Sequence, residues 1–490
     1  MIENSSPFNL LENFKNTAIL CIGDVLLDRF ISGEVNRISP EAPIPILKIT
    51  KETSMLGGAG NVVQNLVALG AKVRFLSVIG DDTAGQEVLE KINHSKTIKA
   101  NLILDKKRQT SIKIRFLSGN QQILRSDKET TNDISENHAK TILNLVQKEI
   151  RDFGALVLSD YGKGVLTDEL LHQLITTAKT ARVPVIVDPK GKNYSCYQGS
   201  TLITPNKREL EKATGIKSNS DESVATAAAY LIKTCKINSV LATRSSEGMT
   251  LQTKTETKHF VAEAREVYDV SGAGDTVVAV MACAISSRAN LNDAVSLANT
   301  AAGIVVGKFG TAVIPIKELA ASYRDKTKLD TKTKIMTSSQ ILKTIKSWRS
   351  QKLRIGFTNG CFDILHLGHL SLLDQSKKVC DRLVIGVNTD KSVKRLKGEK
   401  RPLNPEEARI QILAAMSDVD AIILFDEDTP INLIKRFKPD VLIKGADYTI
   451  NTVIGADFVI KNGGEIFLAQ LKKGFSSSKT INRIKNINKN

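Results

Sequence analysis

The sequence predicts an α/β fold in two successive domains, each built on a mostly parallel, doubly wound sheet, with a small β-flap beside the first. Three observations carry this reading. Apolar, β-branched runs recur, each closed by a polar turn and followed by a helical pattern, as buried parallel strands with crossover helices do. The pattern stops near Ala320, where a Thr-, Ser- and Lys-rich stretch follows, and then resumes. A chain of 490 residues also exceeds what one ordinary core holds.

In chain order, the clearest strands of the first series are Ala18–Asp24, Ala155–Asp160, Pro184–Asp188, Thr201–Thr204 and Val240–Thr243. Two segments break the pattern. Phe30–Thr50 contains three prolines, and Thr110–Arg125 alternates apolar and polar residues as a half-exposed antiparallel strand does. Together they read as the flap. The polar, basic run Thr327–Ser339 reads as a linker, so the expected domains are 1–325 and 339–490, with residues 326–338 between them. A helix over Ser339–Gln351 leads into a second series: Arg354–Thr358, Arg382–Asn388, Ala421–Phe425, Val441–Lys444 and Glu465–Ala469. No internal repeat relates the two halves.

Bulk properties exclude several classes. A hydrophobic fraction of 41% with 25% charged residues is that of a globular protein. No run of about 18 apolar residues occurs, so no membrane-spanning helix is expected. Met1–Lys15 lacks the basic and apolar regions of a secretory signal. The six cysteines are scattered without a CxxC pair, which favours buried thiols in a reducing cytoplasm over disulfides or zinc. The net charge of +17 invites a nucleic-acid reading. Ten Lys/Arg against two Asp/Glu fall within residues 321–354, however, and no basic stripe is interleaved with aromatics. Anionic small molecules are the simpler partners, and neither nucleic acid nor membrane is expected.

Two segments carry chemistry. Glu266–Val280 (EVYDVSGAGDTVVAV) runs from a strand end through small residues into a helix. There Gly272, Ala273 and Gly274 let amides at a helix N-terminus approach a phosphate. Asp275 stands in the first turn, where it can accept a hydroxyl proton. No GxxxxGK[ST] loop is present. Met55–Val62 (MLGGAGNV), Ile22–Arg29, Val187–Lys190 and Thr204–Glu209 add polar residues just past strand ends, where ligands bind in open α/β sheets. In combination these segments resemble the ribokinase-like sugar kinases over about residues 15–320. The resemblance implies that Asp24, Gly57, Gly58 and Asn61 hold the sugar and that Asp275 is the general base. It implies that the amides of Gly272, Ala273 and Gly274 form the anion hole, and that Asn206 and Glu209 of an NxxE segment serve Mg·ATP. It also implies that the flap covers the sugar and mediates a homodimer. Val270 stands where the family usually has Thr.

The second segment, Phe357–Leu370 (FTNGCFDILHLGHL), follows a strand and holds the only closely spaced histidines, His366 and His369. At a helix start they share one face. Zinc would need more ligands than Asp363 offers. The segment resembles the HxGH nucleotidyltransferases, a cytidylyltransferase-like superfamily with a small Rossmann-like domain. In these, paired imidazoles bind the triphosphate while a phosphate oxygen attacks the α-phosphorus. The resemblance implies nucleotide contacts from Thr358, Asn359, Gly360, Phe362, Asp390, Lys397, Arg409, Asp447, Ser476, Ser477 and Ser478. No resident metal is expected beyond Mg²⁺ carried with ATP.

Across essentially all 490 residues the chain is similar to the bifunctional enzymes of bacterial ADP-heptose synthesis. RISPEAPIPI (Arg37–Ile46), LVLSDYGKG (Leu156–Gly164), VVGKFGT (Val305–Thr311) and RPLNPEEAR (Arg401–Arg409) carry that likeness. It implies phosphorylation of D-glycero-β-D-manno-heptose 7-phosphate at O1. Adenylylation of heptose 1-phosphate from ATP would follow, after a separate phosphatase has removed the 7-phosphate, supplying the lipopolysaccharide core. The residues leave open another fused sugar kinase and cytidylyl- or adenylyltransferase acting on a different sugar or alcohol phosphate.

Overall fold

A computed structural model describes residues 7–95, 97–119, 121–263, 267–329, 334–350, 352–446 and 448–470. The chain divides into two compact units, Met1–Tyr323 and Arg324–Asn490.

In the first unit the strands are β1 (Ala18–Gly23), β2 (Val25–Ile38), β3 (Pro45–Gly58), β4 (Lys72–Gly80), β5 (Ile98–Asp105), β6 (Ser111–Ser118), β7 (Gln121–Lys128), β8 (Ala155–Ser159), β9 (Val185–Asp188), β10 (Leu202–Ile203), β11 (Ser239–Thr243), β12 (Met249–Thr253) and β13 (Thr257–Phe260). Nine of them form one sheet in the order β13-β12-β11-β10-β9-β8-β1-β4-β5. It is parallel from β11 to β5, and β12 and β13 close one edge antiparallel. Side chains alternate between two cores, as the pleat requires. Ile19 and Cys21 of β1 face a core shared with helices Ala59–Ala68 and Ala273–Ser286, whereas Leu20 and Ile22 face one shared with Glu136–Glu149 and Asp168–Thr180. The Ala273 helix is buried along nearly its whole length, which accounts for its sequence AGDTVVAVMACAIS. β1 lies between β8 and β4, where the winding reverses, and the carboxyl ends there form the crevice in which such sheets bind ligands.

The expected flap is a four-stranded sheet in the order β3-β2-β6-β7. β2 and β3 form a long hairpin with Pro40 and Pro43 at its tip, and β6 pairs parallel with β2. Thr110–Arg125, expected as one strand, is the hairpin β6–β7. The turn between them holds Gly119 at φ 57°, a conformation that favours glycine.

The second unit has β14 (Ile355–Gly360), β15 (Arg382–Asn388), β16 (Ala421–Phe425), β17 (Val441–Gly445) and β18 (Glu465–Ala469), all parallel in the order β16-β15-β14-β17-β18. β14 is central, so its carboxyl end again opens at a reversal of winding.

The polar stretch expected as a linker over 326–338 is only partly one. Helix Ile316–Leu329 runs into it, and its far end is fastened to the second sheet. Lys334 Nζ donates to Met416 O at 2.8 Å, Ile335 forms a bridge to Ile422, and Met336 N donates to Ile422 O at 2.9 Å. Ile335 and Met336, two of the three apolar residues in the polar run, both pack against the second unit's cores. Among the described residues no helix is long and apolar enough to cross a membrane. The six cysteines are free.

Candidate active sites

In the first unit, the turn before helix Ala273–Ser286 brings Asp275 to the centre of the crevice. Gly272 is required there twice over: its φ is 79°, and a Cβ would lie 2.5 Å from Asn61 Nδ2. The Asp275 carboxylate is buried and has a donor on each oxygen, Asn61 Nδ2 to Oδ2 and Tyr161 OH to Oδ1, both at 2.7 Å. Burial pushes its pKa up to about 6, against the lowering effect of those two donors. It is a carboxylate poised to take up a proton near neutral pH. Asn61 is held in turn by Asn65, whose Nδ2 reaches Asn61 O and Oδ1 and whose own Oδ1 accepts from Thr276 Oγ1. Gly274 lines the crevice, while Ala273 N is already shared with Val270 O at 3.3 Å.

The glycines of MLGGAGNV are explained by close approach. A Cβ at Gly57 would fall 2.1 Å from Asp28 Oδ2, and one at Gly58 (φ 57°) would fall 2.5 Å from Asp24 O. These two contacts separate the roles of the two aspartates. Asp24, expected to hold the sugar, is instead spent on the protein. Its carboxylate accepts from the amides of Tyr161 (2.9 Å), Lys163 (3.0 Å) and Val165 (3.0 Å), and so shapes the loop that carries Tyr161. Burial nevertheless raises its pKa. Asp28, four residues on in β2, stands beside Gly57 and pairs with Arg115. It is the carboxylate that faces Asp275 under the flap, and its charge helps to raise the pKa of Asp275.

Beside Asp275 a cavity of about 190 Å³ is lined by Asp160, Tyr161, Asp188, Lys190, Asn206, Glu209 and Gly274. The NxxE segment is a helix capping box: Asn206 Oδ1 accepts from Glu209 N, and Glu209 Oε2 accepts from Asn206 N, both at 3.0 Å. Glu209 still reaches Lys190 Nζ at 2.7 Å. Asp188 is half-buried on the cavity wall, and its pKa is well above the usual carboxylate range, from desolvation first and then from Asp275 and Glu209. Among the described residues no cluster of three or more ligating side chains could by itself hold a metal. Asp188 and Glu209, hard oxygen donors on the cavity wall, fit an ion that arrives with nucleotide phosphates.

In the second unit, Thr358, Asn359 and Gly360 end β14, and His366 and His369 open the helix Leu367–Val379. The imidazoles stack at 4.0 Å between centroids, 26° from parallel. His366 N donates to His369 Nδ1 at 3.4 Å, which leaves Nε2–H of His369 as a donor. Burial, then His366 and Lys397, push the pKa of His369 down to about 4, and burial lowers that of His366. Both rings are therefore neutral at pH 7. Lys444 Nζ donates to Asn359 Oδ1 at 2.6 Å and tethers the TNG turn to β17; the sequence marks Lys444 only as the end of a strand.

Two expected nucleotide contacts are corrected. Phe362 is buried in the core at φ 47°, and its ring packs 5.2 Å from that of His369, so it backs the histidine. Arg409 is fully buried: its guanidinium donates to Asn404 O (3.1 Å), Cys361 O (2.5 Å) and Asp390 Oδ1 (2.8 Å), which leaves it fixing the motif loop and not a phosphate. Asp390, held by it, opens helix Asp390–Lys397, at whose end Lys397 is exposed. Asp363 clamps the loop Arg401–Asn404 through Arg401 Nε (2.6 Å) and the Leu403 and Asn404 amides. Asp447, Ser476, Ser477 and Ser478 lie outside the described residues. Arg409→Leu leaves three acceptors without a donor and should destabilise the second unit by about 3 kcal/mol. Calorimetry should show its transition lowered and that of the first unit unmoved; a wild-type trace would make Arg409 dispensable to the fold.

Comparison with known proteins gives two family matches: pfkB family carbohydrate kinase over residues 16–318 and cytidylyltransferase-like over residues 357–482. Among curated relatives, the bifunctional protein HldE of Rhodospirillum rubrum is 49% identical over 97% of this chain and 96% of its own. That of Mesorhizobium japonicum is 45% identical over 99% of both. Among solved structures, phosphofructokinase-2 from Escherichia coli aligns with a TM-score of 0.54 at 18% identity over 64% of this chain and 99% of its own. Arabidopsis thaliana ribokinase, complexed with ribose and ATP, aligns at 0.50 and 20% over 62% and 98%. At these identities the two structures report the fold of the first unit alone.

Proposed function

The chain belongs to the family of bifunctional HldE proteins, a pfkB-type carbohydrate kinase joined to a cytidylyltransferase-like domain, and from that premise we propose the two reactions and the residues that run them. The kinase phosphorylates D-glycero-β-D-manno-heptose 7-phosphate at O1 with Mg²⁺·ATP. Asp275 accepts the proton of the anomeric hydroxyl as its oxygen attacks the γ-phosphorus. The helix N-terminus at Gly272–Gly274 and Lys190 stabilise the negative charge of the transferring group. Asn61 and Asp28 hold the sugar under the flap, and Asp188 and Glu209 hold the ion that Mg·ATP brings. The single observation that carries this half is the buried Asp275 carboxylate, oriented by Asn61 and Tyr161.

The transferase adenylylates heptose 1-phosphate. A phosphate oxygen attacks the α-phosphorus of ATP, and pyrophosphate leaves in line. The neutral, stacked histidines donate hydrogen bonds to the triphosphate, needing no covalent intermediate. Asn359, Lys444 and Lys397 surround the same opening. A separate phosphatase removes the 7-phosphate between the two steps, and the product feeds the lipopolysaccharide core. The enzyme works in the cytoplasm as a homodimer paired through the flap, whose Ile38, Ile44, Ile49 and Leu124 are 60, 57, 50 and 57% exposed.

Base choice is tested by pyrophosphate release from heptose 1-phosphate with ATP or CTP. ATP should support turnover and CTP should not. Preference for CTP would mean a cytidylyltransferase and would remove ADP-heptose as the product.

A further inference from the structure

We propose that the inner face of the flap seats the phosphate that the sugar substrate already carries, with Lys113 as the cation that receives it. The inference rests on the sugar-phosphate kinase reading above. In register, Lys113 of β6 is paired with Asp28 of β2 and with Asp127 of β7, and Arg115 with Arg125. These side chains therefore share one face of the flap. That face opens on the kinase centre: Lys113 Nζ lies 5.3 Å from the centroid of the Tyr161 ring, whose hydroxyl donates to Asp275.

The surrounding cations are already paired within the protein. Arg115 is bound to Asp28, Arg125 to Asp127 at 2.9 Å and Lys163 to Glu129 at 2.6 Å. Lys113 has no carboxylate within ion-pair distance among the described residues. It is nevertheless half-buried, and burial pulls its pKa down. The carboxylates opposite it in register, Asp28 and Asp127, favour its charged form but are already bound to Arg115 and Arg125, and an anion delivered by the ligand further offsets the cost of taking this ammonium out of water.

Two anions enter this active site, and the geometry separates them. The nucleotide's phosphates have their own cation and helix N-terminus in the cavity lined by Asp188, Lys190, Glu209 and Gly274. Tyr161 lines that cavity and Lys113 does not. Lys113 projects from the element that covers the sugar. A sugar with its reacting hydroxyl at Asp275 and its far end under the flap presents a terminal phosphate to this amine.

The test compares heptose 7-phosphate with the same heptose lacking the phosphate, in the wild type, Lys113→Met and the near-isosteric Lys113→Gln. Loss of one charge-assisted contact should lower the preference for the phosphorylated sugar about 10- to 100-fold, through KM and not kcat, with the KM for ATP unchanged. The unchanged ATP KM also reports that each variant is folded. Lys113→Arg should recover most of the preference. A fall in kcat at unchanged sugar KM, a raised ATP KM, or equal loss on both sugars would overturn the assignment. A wild type that leaves heptose 7-phosphate untouched would sink the substrate reading instead. The subsite is then judged by inorganic phosphate, which should protect the wild type against thermal unfolding more than Lys113→Met; equal protection overturns it.

Discussion

Replacing Asp275 by Asn should cut kinase turnover by ~10²–10⁴-fold, the usual worth of a positioned general base, while adenylyl transfer runs at the wild-type rate. The amide keeps the shape of the carboxyl and leaves the turn at Gly272 intact, so ATP should still bind. The pH dependence carries the same signature. Burial holds the Asp275 carboxyl at about 6, so the base is ionised above that pH and protonated below it. Kinase turnover should therefore rise with pH through about 6 and level off above it. The same group sets a sign for stability. A carboxyl whose folded pKa is raised favours the folded state at low pH, and that contribution is lost as pH rises from the unfolded value through about 6. Activity and this part of stability thus run in opposite directions across one window. Asp275→Asn with near wild-type turnover would remove Asp275 from its role.

Replacing either His366 or His369 by Ala should slow adenylyl transfer ~10²–10³-fold, as expected when one preorganised donor to a developing charge is lost. The kinase should be unaffected. Because His369 is held near 4 and His366 is also lowered, both rings work as neutral donors at pH 7. The free enzyme should accordingly show no loss of transferase function between pH 6 and 8 from the titration of His369. Activity abolished by zinc-stripping chelators and retained by both alanine variants would point to a metal centre and contradict this reading.

Much of this was legible in the sequence because it is local. A glycine demanded by a positive φ, a small-residue helix start and two histidines three residues apart are written in consecutive residues. The central strands were legible for the same reason: buried on both faces, they read as unbroken apolar runs. The antiparallel strands β12 and β13 at one side of the sheet, including TKHF with a charge and a histidine, carry no such signal. What was not legible depends on distant packing. Asp24 and Asp28 stand four residues apart in one motif, and only the fold gives the loop at Tyr161–Val165 to the first and leaves the second facing the site. Arg409 reads as a cation near phosphates, yet three acceptors from separate segments surround it. Tyr161, within LVLSDYGKG, follows a strand as many loop residues do, and nothing local ties it to a base 114 positions later. Ile335 and Met336 stand within a polar stretch that reads as a linker, and only the cores of the second unit show that they anchor it.

On the proposed function, one chain holds two separate phosphate-transfer sites whose steps are not consecutive. This is tested most directly by incubating the full-length protein with Mg²⁺, ATP and heptose 7-phosphate, with and without an added sugar bisphosphate phosphatase, and identifying products by mass. Without the phosphatase, heptose 1,7-bisphosphate and ADP should accumulate. With it, ADP-heptose and pyrophosphate should appear, and Asp275→Asn should block both outcomes while still converting supplied heptose 1-phosphate to ADP-heptose. Nucleotide-linked sugar formed without the phosphatase, or no bisphosphate formed at all, would contradict it.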